Sequence, residues 1–388
     1  MDQLETQKTN TIMQNSKGYT AKQVVNSIFL LLVFFSLFSC GEKNSDDVSK
    51  IQMLLKRTTE ENNLPSLSIA IGYKDSIRFA EAIGYADMEN KVSATPKTVY
   101  RVGSISKSLT ATVIMKLRES KRIDIDSNIR KYCPSFPDKG TMITSRQLLA
   151  HLGGIRHYDF DNIEKEYYSI KRYGSSLEAL NIFKNDSLVV RPGVKHHYSS
   201  YGYSILGCAI ENLAKSSFEH AITKNIFQPA NMGDSYLDYP ERLIPNRARL
   251  YETVENGAWS NSRFVDLSNK FPGGGILSTP TDLVKFANTL LSGNILNRDS
   301  LKEMWEEQLT KDGQKTQYTL GWRVSEDYTE FYHGGSSAGG TAYLYVVPEK
   351  ELVVAFATNT GSGQWSSSRH EFVQQIAELF FRGTVDFP

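Results

Sequence analysis

The apolar positions of this chain change their period several times along its length. Residues 28–38 (IFLLLVFFSLF) form a continuous greasy run that is too short to span a bilayer comfortably. From Val48 to Arg57 the pattern is that of an amphipathic helix. Leu67–Tyr73 and Ser76–Gly84 then read as two strands around a Lys74-Asp75 turn. Within Ser104–Glu119, Leu109, Val113 and Leu117 recur at intervals of four, which predicts a helix with one face in a core. Residues 123–271 are loop-rich and punctuated by Pro134, Pro137, Pro192 and Pro229. They hold short helical pieces at Thr144–His151, Leu177–Phe183 and Tyr203–Ala214. Ser278-Thr279-Pro280 marks the start of a helix over Thr281–Ser292. Three β-like segments follow, Leu320–Val324, Thr341–Val347 and Leu352–Ala357, then a closing helix, Ser367–Phe381, with Phe372, Ile376 and Leu379 on one face. Strands at both ends with helices between predict an α+β fold (an α/β sandwich). One antiparallel sheet is built from N- and C-terminal segments and flanked by helices, with a mainly helical subdomain over roughly 123–271.

The amino-terminal run adds an address. Lys17 and Lys22 precede it, no acidic residue intervenes, and it ends at Ser39-Cys40-Gly41. A basic region, a short apolar core and a small residue before the cleavage point describe a secretory signal. Leu37-Phe38-Ser39-Cys40 also resembles a bacterial lipobox, whose cysteine becomes the lipidated first residue, although Phe38 is bulkier than such motifs usually carry. The expectation is a lipoprotein-type signal over residues 1–40, with Met13 as a second candidate start, a polar tether over 41–47 and one folded domain over 48–388. The protein is then exported to the periplasm or cell surface and held on a bacterial membrane through Cys40.

Composition removes several classes. At 40% hydrophobic and 22% charged residues the chain is an ordinary globular one. With 44 basic against 43 acidic side chains it lacks the surplus a nucleic-acid binder needs. Of the three cysteines only Cys133 and Cys208 lie in the folded part, and Cys208 falls in an apolar helical run as a small core residue, so no structural disulfide is expected. Seven histidines include no His-Glu-x-x-His, and adjacent His196 and His197 point to opposite faces of a strand. No metal or cofactor is implied. Aromatic clusters such as Tyr158-Asp159-Phe160 and Tyr167-Tyr168 read first as packing, with a recognition wall as the alternative.

The sharpest chemical signal is Gly103-Ser104-Ile105-Ser106-Lys107. A serine at a helix start and a lysine three residues on share one face, about 5–6 Å apart at Cβ. Backbone N–H groups there favour developing negative charge, and a buried lysine of depressed pKa can take a serine proton. Taken alone, the pattern is more often a capping serine and a solvated lysine. Two further motifs accompany it: Tyr198-Ser199-Ser200, ahead of an apolar helix, and His333-Gly334-Gly335, ahead of Thr341–Val347. Ile143–His151 and Gly273–Leu283 stand around them.

With these elements in this order, from Leu64 to the last helix, the chain resembles the serine β-lactamase and penicillin-binding-protein-like superfamily, in its class C and D-Ala-D-Ala carboxypeptidase branch. The resemblance implies that Ser104 is the nucleophile, Lys107 its activating partner and Tyr198 the proton shuttle. It implies that His333 steadies the tyrosine and a substrate carboxylate, that Ser200, Gly334 and Gly335 stand in substrate-binding positions, and that the backbone N–H groups of Ser104 and Ser336 form the oxyanion hole. The reaction implied is acyl transfer without metal or cofactor on a small-molecule or peptide substrate. A D-amino-acid-terminated cell-wall peptide comes first, small esters or amides second and a β-lactam third.

Three positions depart from the family pattern. Ser200 stands where asparagine is usual, the third motif reads His333-Gly334-Gly335 and lacks the hydroxyl usual at the position of Gly334, and His151-Leu152-Gly153-Gly154 replaces His-Thr-Ser-Gly. All three touch substrate recognition more than nucleophile activation. Gly335-Ser336-Ser337-Ala338-Gly339 also fits a nucleophile elbow, but a strand follows where a helix is required, and Glu351 and His370 would satisfy the order only by crowding the triad into the tail. A non-catalytic binding module is the other alternative, opposed by the joint presence of serine, lysine and tyrosine.

Overall fold

The computed structural model describes residues 48–255, 257–361, 365 and 368–383. The greasy run, the tether and Cys40 lie outside the described residues. Among those described, no helix is long and apolar enough to cross a membrane. The compact body Met53–Glu378 holds the sheet, the helical subdomain and the cleft.

The strand Ser66–Tyr73 is buried along nearly its whole length, so it must lie inside a sheet rather than at its edge. A hairpin joins it to Ser76–Asp87, and on its other side it pairs antiparallel with Leu352–Thr358, Ser68 opposite Ala357 and Ile71 opposite Val354. The sheet therefore closes between the two ends of the chain, as the hydrophobic pattern predicts. In space its strands run Val92–Ser93, Ser76–Asp87, Ser66–Tyr73, Leu352–Thr358, Gly340–Val347, Phe331–Ser337 and Arg323–Val324, each pair antiparallel. Continuous burial of Gly340–Val347 and Leu352–Thr358 means that both faces are covered. The helix Pro280–Leu291 covers one of them: a Cβ added at Gly72 would lie 2.4 Å from Val284.

Phe331–Ser337 is a strand that the hydrophobic pattern does not announce. It is rich in glycine and polar residues, yet Phe331, His333, Gly335 and Ser337 alternate inward. The expected strand Leu320–Val324 shrinks to Arg323–Val324. The expected helices appear as Pro280–Leu291, Ser200–Ala214 and Ser145–Leu149, each with an N-cap hydroxyl from Thr279, Ser199 or Thr144.

One expectation is overturned. Cys133 and Cys208 are joined by a disulfide across 75 residues, their Cα atoms 5.6 Å apart. Cys208 does occupy the core face of the helix Ser200–Ala214, but Cys133 reaches the same core from the end of the turn Ile129–Lys131, and both are buried. Neither position carries a local signal of the other, because the pairing depends on how the subdomain folds back on itself.

Candidate active site

Ser104 lies in a single 3-10 turn, Gly103–Ile105, that runs directly into the helix Ser106–Glu119. Val102 holds the cap position and offers no side-chain acceptor, so the first amides of the turn have no capping partner. The helix is driven into the core, and Lys107 is fully buried with it. Lys107 Nζ stands 3.0 Å from Ser104 Oγ, 3.0 Å from Ser200 Oγ and 2.6 Å from the Gly273 carbonyl oxygen. Among the described residues no carboxylate pairs with it. Burial, with the positive charges of Arg323 and Lys270, holds its pKa well below that of an ordinary lysine. A neutral amine carries two N–H bonds and one lone pair. Nζ meets three acceptors, the Gly273 carbonyl and the Ser200 and Ser104 hydroxyl oxygens; once the amine has lost a proton, two N–H bonds still serve Gly273 and Ser200, and its lone pair faces the Ser104 hydroxyl. That is the arrangement of a base next to its acid.

Tyr198 stands two residues before the buried helix Ser200–Ala214. Lys107 Nζ lies 4.9 Å from its ring centre, and the His151 ring lies 4.1 Å from it. Burial raises the phenol to about 12, against a lowering hydrogen bond from Ser104. Tyr198 is thus a protonated phenol at neutral pH, suited to passing a proton on rather than to abstracting one unaided.

The third motif enters through backbone contact. A Cβ at Gly335 would sit 1.9 Å from the Val102 carbonyl oxygen and 3.1 Å from Ser104 N. A Cβ at Gly103, where φ is +49°, would sit 2.6 Å from Ser336 N. Only glycine at both positions lets strand and turn touch, and their contact brings the amides of Ser104 and Ser336 side by side. Two such donors, so placed, are able to stabilise an oxyanion. Ser336 sits on a strand followed by a hairpin into Gly340–Val347, which is no nucleophile elbow.

His333 is buried, with Nε2 2.8 Å from the Tyr318 hydroxyl and Nδ1 2.7 Å from the Gly334 carbonyl oxygen. The carbonyl only accepts, so Nδ1 carries the proton and Nε2 accepts from Tyr318. The hydrogen bonds of His333 thus fall on Tyr318 and Gly334 rather than on Tyr198. Burial first, then the charges of Lys107 and Arg323, keep its pKa well below that of an ordinary histidine.

A cavity of about 560 Å³ opens over these groups, and Ser104, Tyr198, Ser200, His333, Gly334 and Ser336 line it. Tyr158, Phe160, Tyr167 and Lys270 form one wall, and Tyr332, Tyr343, Arg323 and Arg369 another. The aromatic clusters thus serve packing and the cleft together. Sequence reasoning did not single out Lys270, Arg323 or Arg369, and it gave no role to His151 and His157, which both pack on Tyr198. For Lys270 a signal existed, since it lies just ahead of the Gly273–Gly275 run. The arginines had none. Among the described residues no group of His, Cys, Asp and Glu is placed to hold a metal.

A serine beside a buried lysine, on an antiparallel sheet with a helical insertion, is the arrangement of a serine hydrolase. The Beta-lactamase family profile matches residues 51–378, and the chain belongs to that family. It is a serine hydrolase of the β-lactamase and penicillin-binding-protein type, the superfamily to which the order of motifs points. The human serine beta-lactamase-like protein LACTB, mitochondrial, is 28% identical over 393 residues, 76% of this chain and 71% of that protein. The octameric penicillin-binding protein homologue of Pyrococcus abyssi superposes with a TM-score of 0.71 at 26% identity, covering 82% of this chain and 74% of its own. The D-amino acid amidase of Ochrobactrum anthropi SV3 shares the fold, with a TM-score of 0.75 at 24% identity over 87% of this chain and 99% of its own.

Proposed function

We propose that the protein hydrolyses its substrate through an acyl-enzyme on Ser104. The Lys107 amine accepts the serine proton as Oγ bonds to the substrate carbonyl carbon. The Ser104 and Ser336 amides hold the resulting oxyanion, and Tyr198 hands the proton to the departing amine or alcohol as the acyl bond breaks. Water then adds to the acyl carbonyl and yields its proton through the same tyrosine and lysine, and Ser104 leaves as the free hydroxyl. The observation that carries this reading is the fully buried Lys107 with its Nζ 3.0 Å from Ser104 Oγ and, among the described residues, no carboxylate partner.

The substrate proposed first is a D-amino-acid-terminated peptide of the cell wall, then small esters or amides. β-Lactams rank third, because Ser200 and Gly334 lack the amide and hydroxyl that hold such compounds elsewhere in the family. Export is part of the proposal, with residues 1–40 as the signal and Cys40 as the lipidated anchor. The Cys133–Cys208 disulfide supports it, since such bonds persist in oxidising compartments.

A panel of D-Ala-D-Ala peptides, D-amino-acid amides, p-nitrophenyl esters and nitrocefin tests the substrate order, alongside labelling with a fluorophosphonate. The expected result is one label on Ser104 and turnover that Ser104→Ala abolishes. Wild-type turnover no greater than that of Ser104→Ala, with no label, overturns the reading in favour of a binding module.

A further inference from the structure

The walls of the cleft carry charge of one sign. Lys270, Arg323 and Arg369 line it, and among the described residues no aspartate or glutamate does. Lys270 belongs to the wall of the helical subdomain. It is only 4% exposed, its Nζ donates to the Tyr167 carbonyl at 2.7 Å, and it lies 4.8 Å and 4.7 Å from the ring centres of Tyr158 and Tyr167. The nearby carboxylates are engaged elsewhere. Glu166 is held by Arg156 and by the Tyr201 hydroxyl, and Asp266 by Arg172 and the Ser268 amide. A lysine placed among carbonyl oxygens and aromatic faces, with no ion pair of its own among the described residues, is a costly element for a fold to keep.

The opposite wall belongs to the sheet. Arg369 Nη1 donates to the Gly335 carbonyl and the Ser336 hydroxyl, both at 3.4 Å, which sets its guanidinium beside the oxyanion strand. Arg323 is exposed at the edge of the same sheet and makes no ion pair among the described residues. Ser104 lines the same cavity as all three.

We propose that the cleft is built for a substrate bearing two anionic groups, one on each side of the bond to be cleaved. Lys270 receives one, and the guanidinium groups of Arg323 and Arg369 receive the other. Guanidinium matches a carboxylate with two parallel N–H donors. The ammonium supplies a single charged donor between aromatic faces. The substrate class is an acyl donor with a carboxylate in its acyl half, joined to a leaving group that carries a second. A D-amino-acid leaving group supplies that second carboxylate, and the first then belongs to an acidic side chain or an acidic acyl cap. This inference rests on the acyl-enzyme reading above.

Four esters test it with the full-length protein: N-butyryl-D-alanine and N-succinyl-D-alanine, each as the phenyl and the 4-carboxyphenyl ester. The expected result is that the succinyl 4-carboxyphenyl ester has the highest kcat/KM, and that each added charge contributes about tenfold, chiefly through KM. Lys270→Met brings the ratio of succinyl to butyryl esters close to one while Ser104-dependent turnover persists, and Lys270→Arg restores part of it. Arg369→Met acts instead on the ratio of 4-carboxyphenyl to phenyl esters. Equal kcat/KM for all four esters, or a succinyl preference that survives Lys270→Met, overturns the proposal. If Lys270→Met does not fold, the wild-type ranking of the four esters decides. Failure of the acyl-enzyme reading looks different: turnover of every ester is then indifferent to Ser104→Ala.

Discussion

His151 holds Tyr198 by ring and by chain. Its imidazole lies 4.1 Å from the tyrosine ring, its Nδ1 accepts the Ser199 amide at 3.1 Å, and its carbonyl accepts the His197 amide at 2.8 Å. One residue thus fixes the chain on either side of the proton shuttle, from a backbone with φ +59° that asparagine also tolerates. Burial first, then the charge of Lys107, keeps the ring neutral. His151 is a positioning residue. His151→Leu is expected to lower kcat on the order of a hundredfold with a smaller change in KM, as displacement of a reacting group does. His151→Asn, whose amide oxygen can take the place of Nδ1, should recover most of the loss. Steady-state kinetics of the two variants, with melting temperatures measured alongside, check this. Equal losses at equal stability would sink the idea.

Activity should fall on the acid side as Lys107 takes up a proton, because the protonated ammonium has no lone pair for Ser104. Burial places that limb well below the pH at which an ordinary lysine titrates. Lys107→Arg, charged at every accessible pH, should be inactive throughout. A pH profile of acylation by a chromogenic ester reads both effects. Retained acylation in the arginine variant would remove the lysine from the mechanism.

Tyr198→Phe keeps the ring and loses the proton relay. Acylation and deacylation should both slow on the order of a hundredfold or more. Burst kinetics separate the two steps, and a loss confined to binding would contradict the assignment.

Lys270 is lowered to about 7, first by burial and then by Arg101, from an unfolded value of 10.5. Between those two values the unfolded chain binds a proton that the folded protein does not. Stability therefore rises with pH across this window, and the gain is lost as pH falls toward the folded value. Lys107 acts with the same sign. Lys270→Met should raise the melting temperature at pH 7 and flatten the slope from there to about pH 9. An unchanged slope would mean that the group is not buried as described.

Reduction of the Cys133–Cys208 bond, or its replacement by paired alanines, should lower stability by about 2–5 kcal/mol, since the bond closes a long loop. Thermal melts with and without dithiothreitol measure it. An identical melting temperature would show that the bond does not form.

Features with a local period were legible in the chain. Ser104 and Lys107 stand one turn apart, the Ser66–Tyr73 hairpin has a turn between alternating runs, and Leu109, Val113 and Leu117 mark a buried face. Tyr198 and His333 were found because short motifs name them in order. Phe331–Ser337 escaped because its hydrogen-bonded ladder carries it, and glycine and serine give no apolar alternation. The disulfide escaped because 75 residues separate its halves. Arg369 sits near the chain's end and Lys270 before a glycine run, and nothing in either neighbourhood says that both border Ser104. What was hidden is what the chain's return on itself creates.

That return has a temporal side. The nucleophile is made early in synthesis, whereas the amide of Ser336 and the strand Leu352–Thr358 that pairs with Ser66–Tyr73 come near the end. A nascent or truncated chain lacking that ending holds a serine and a lysine but no second oxyanion donor. On the proposed mechanism, reactivity therefore waits for the final strands, and a chain that stops short of them should not take an acyl label.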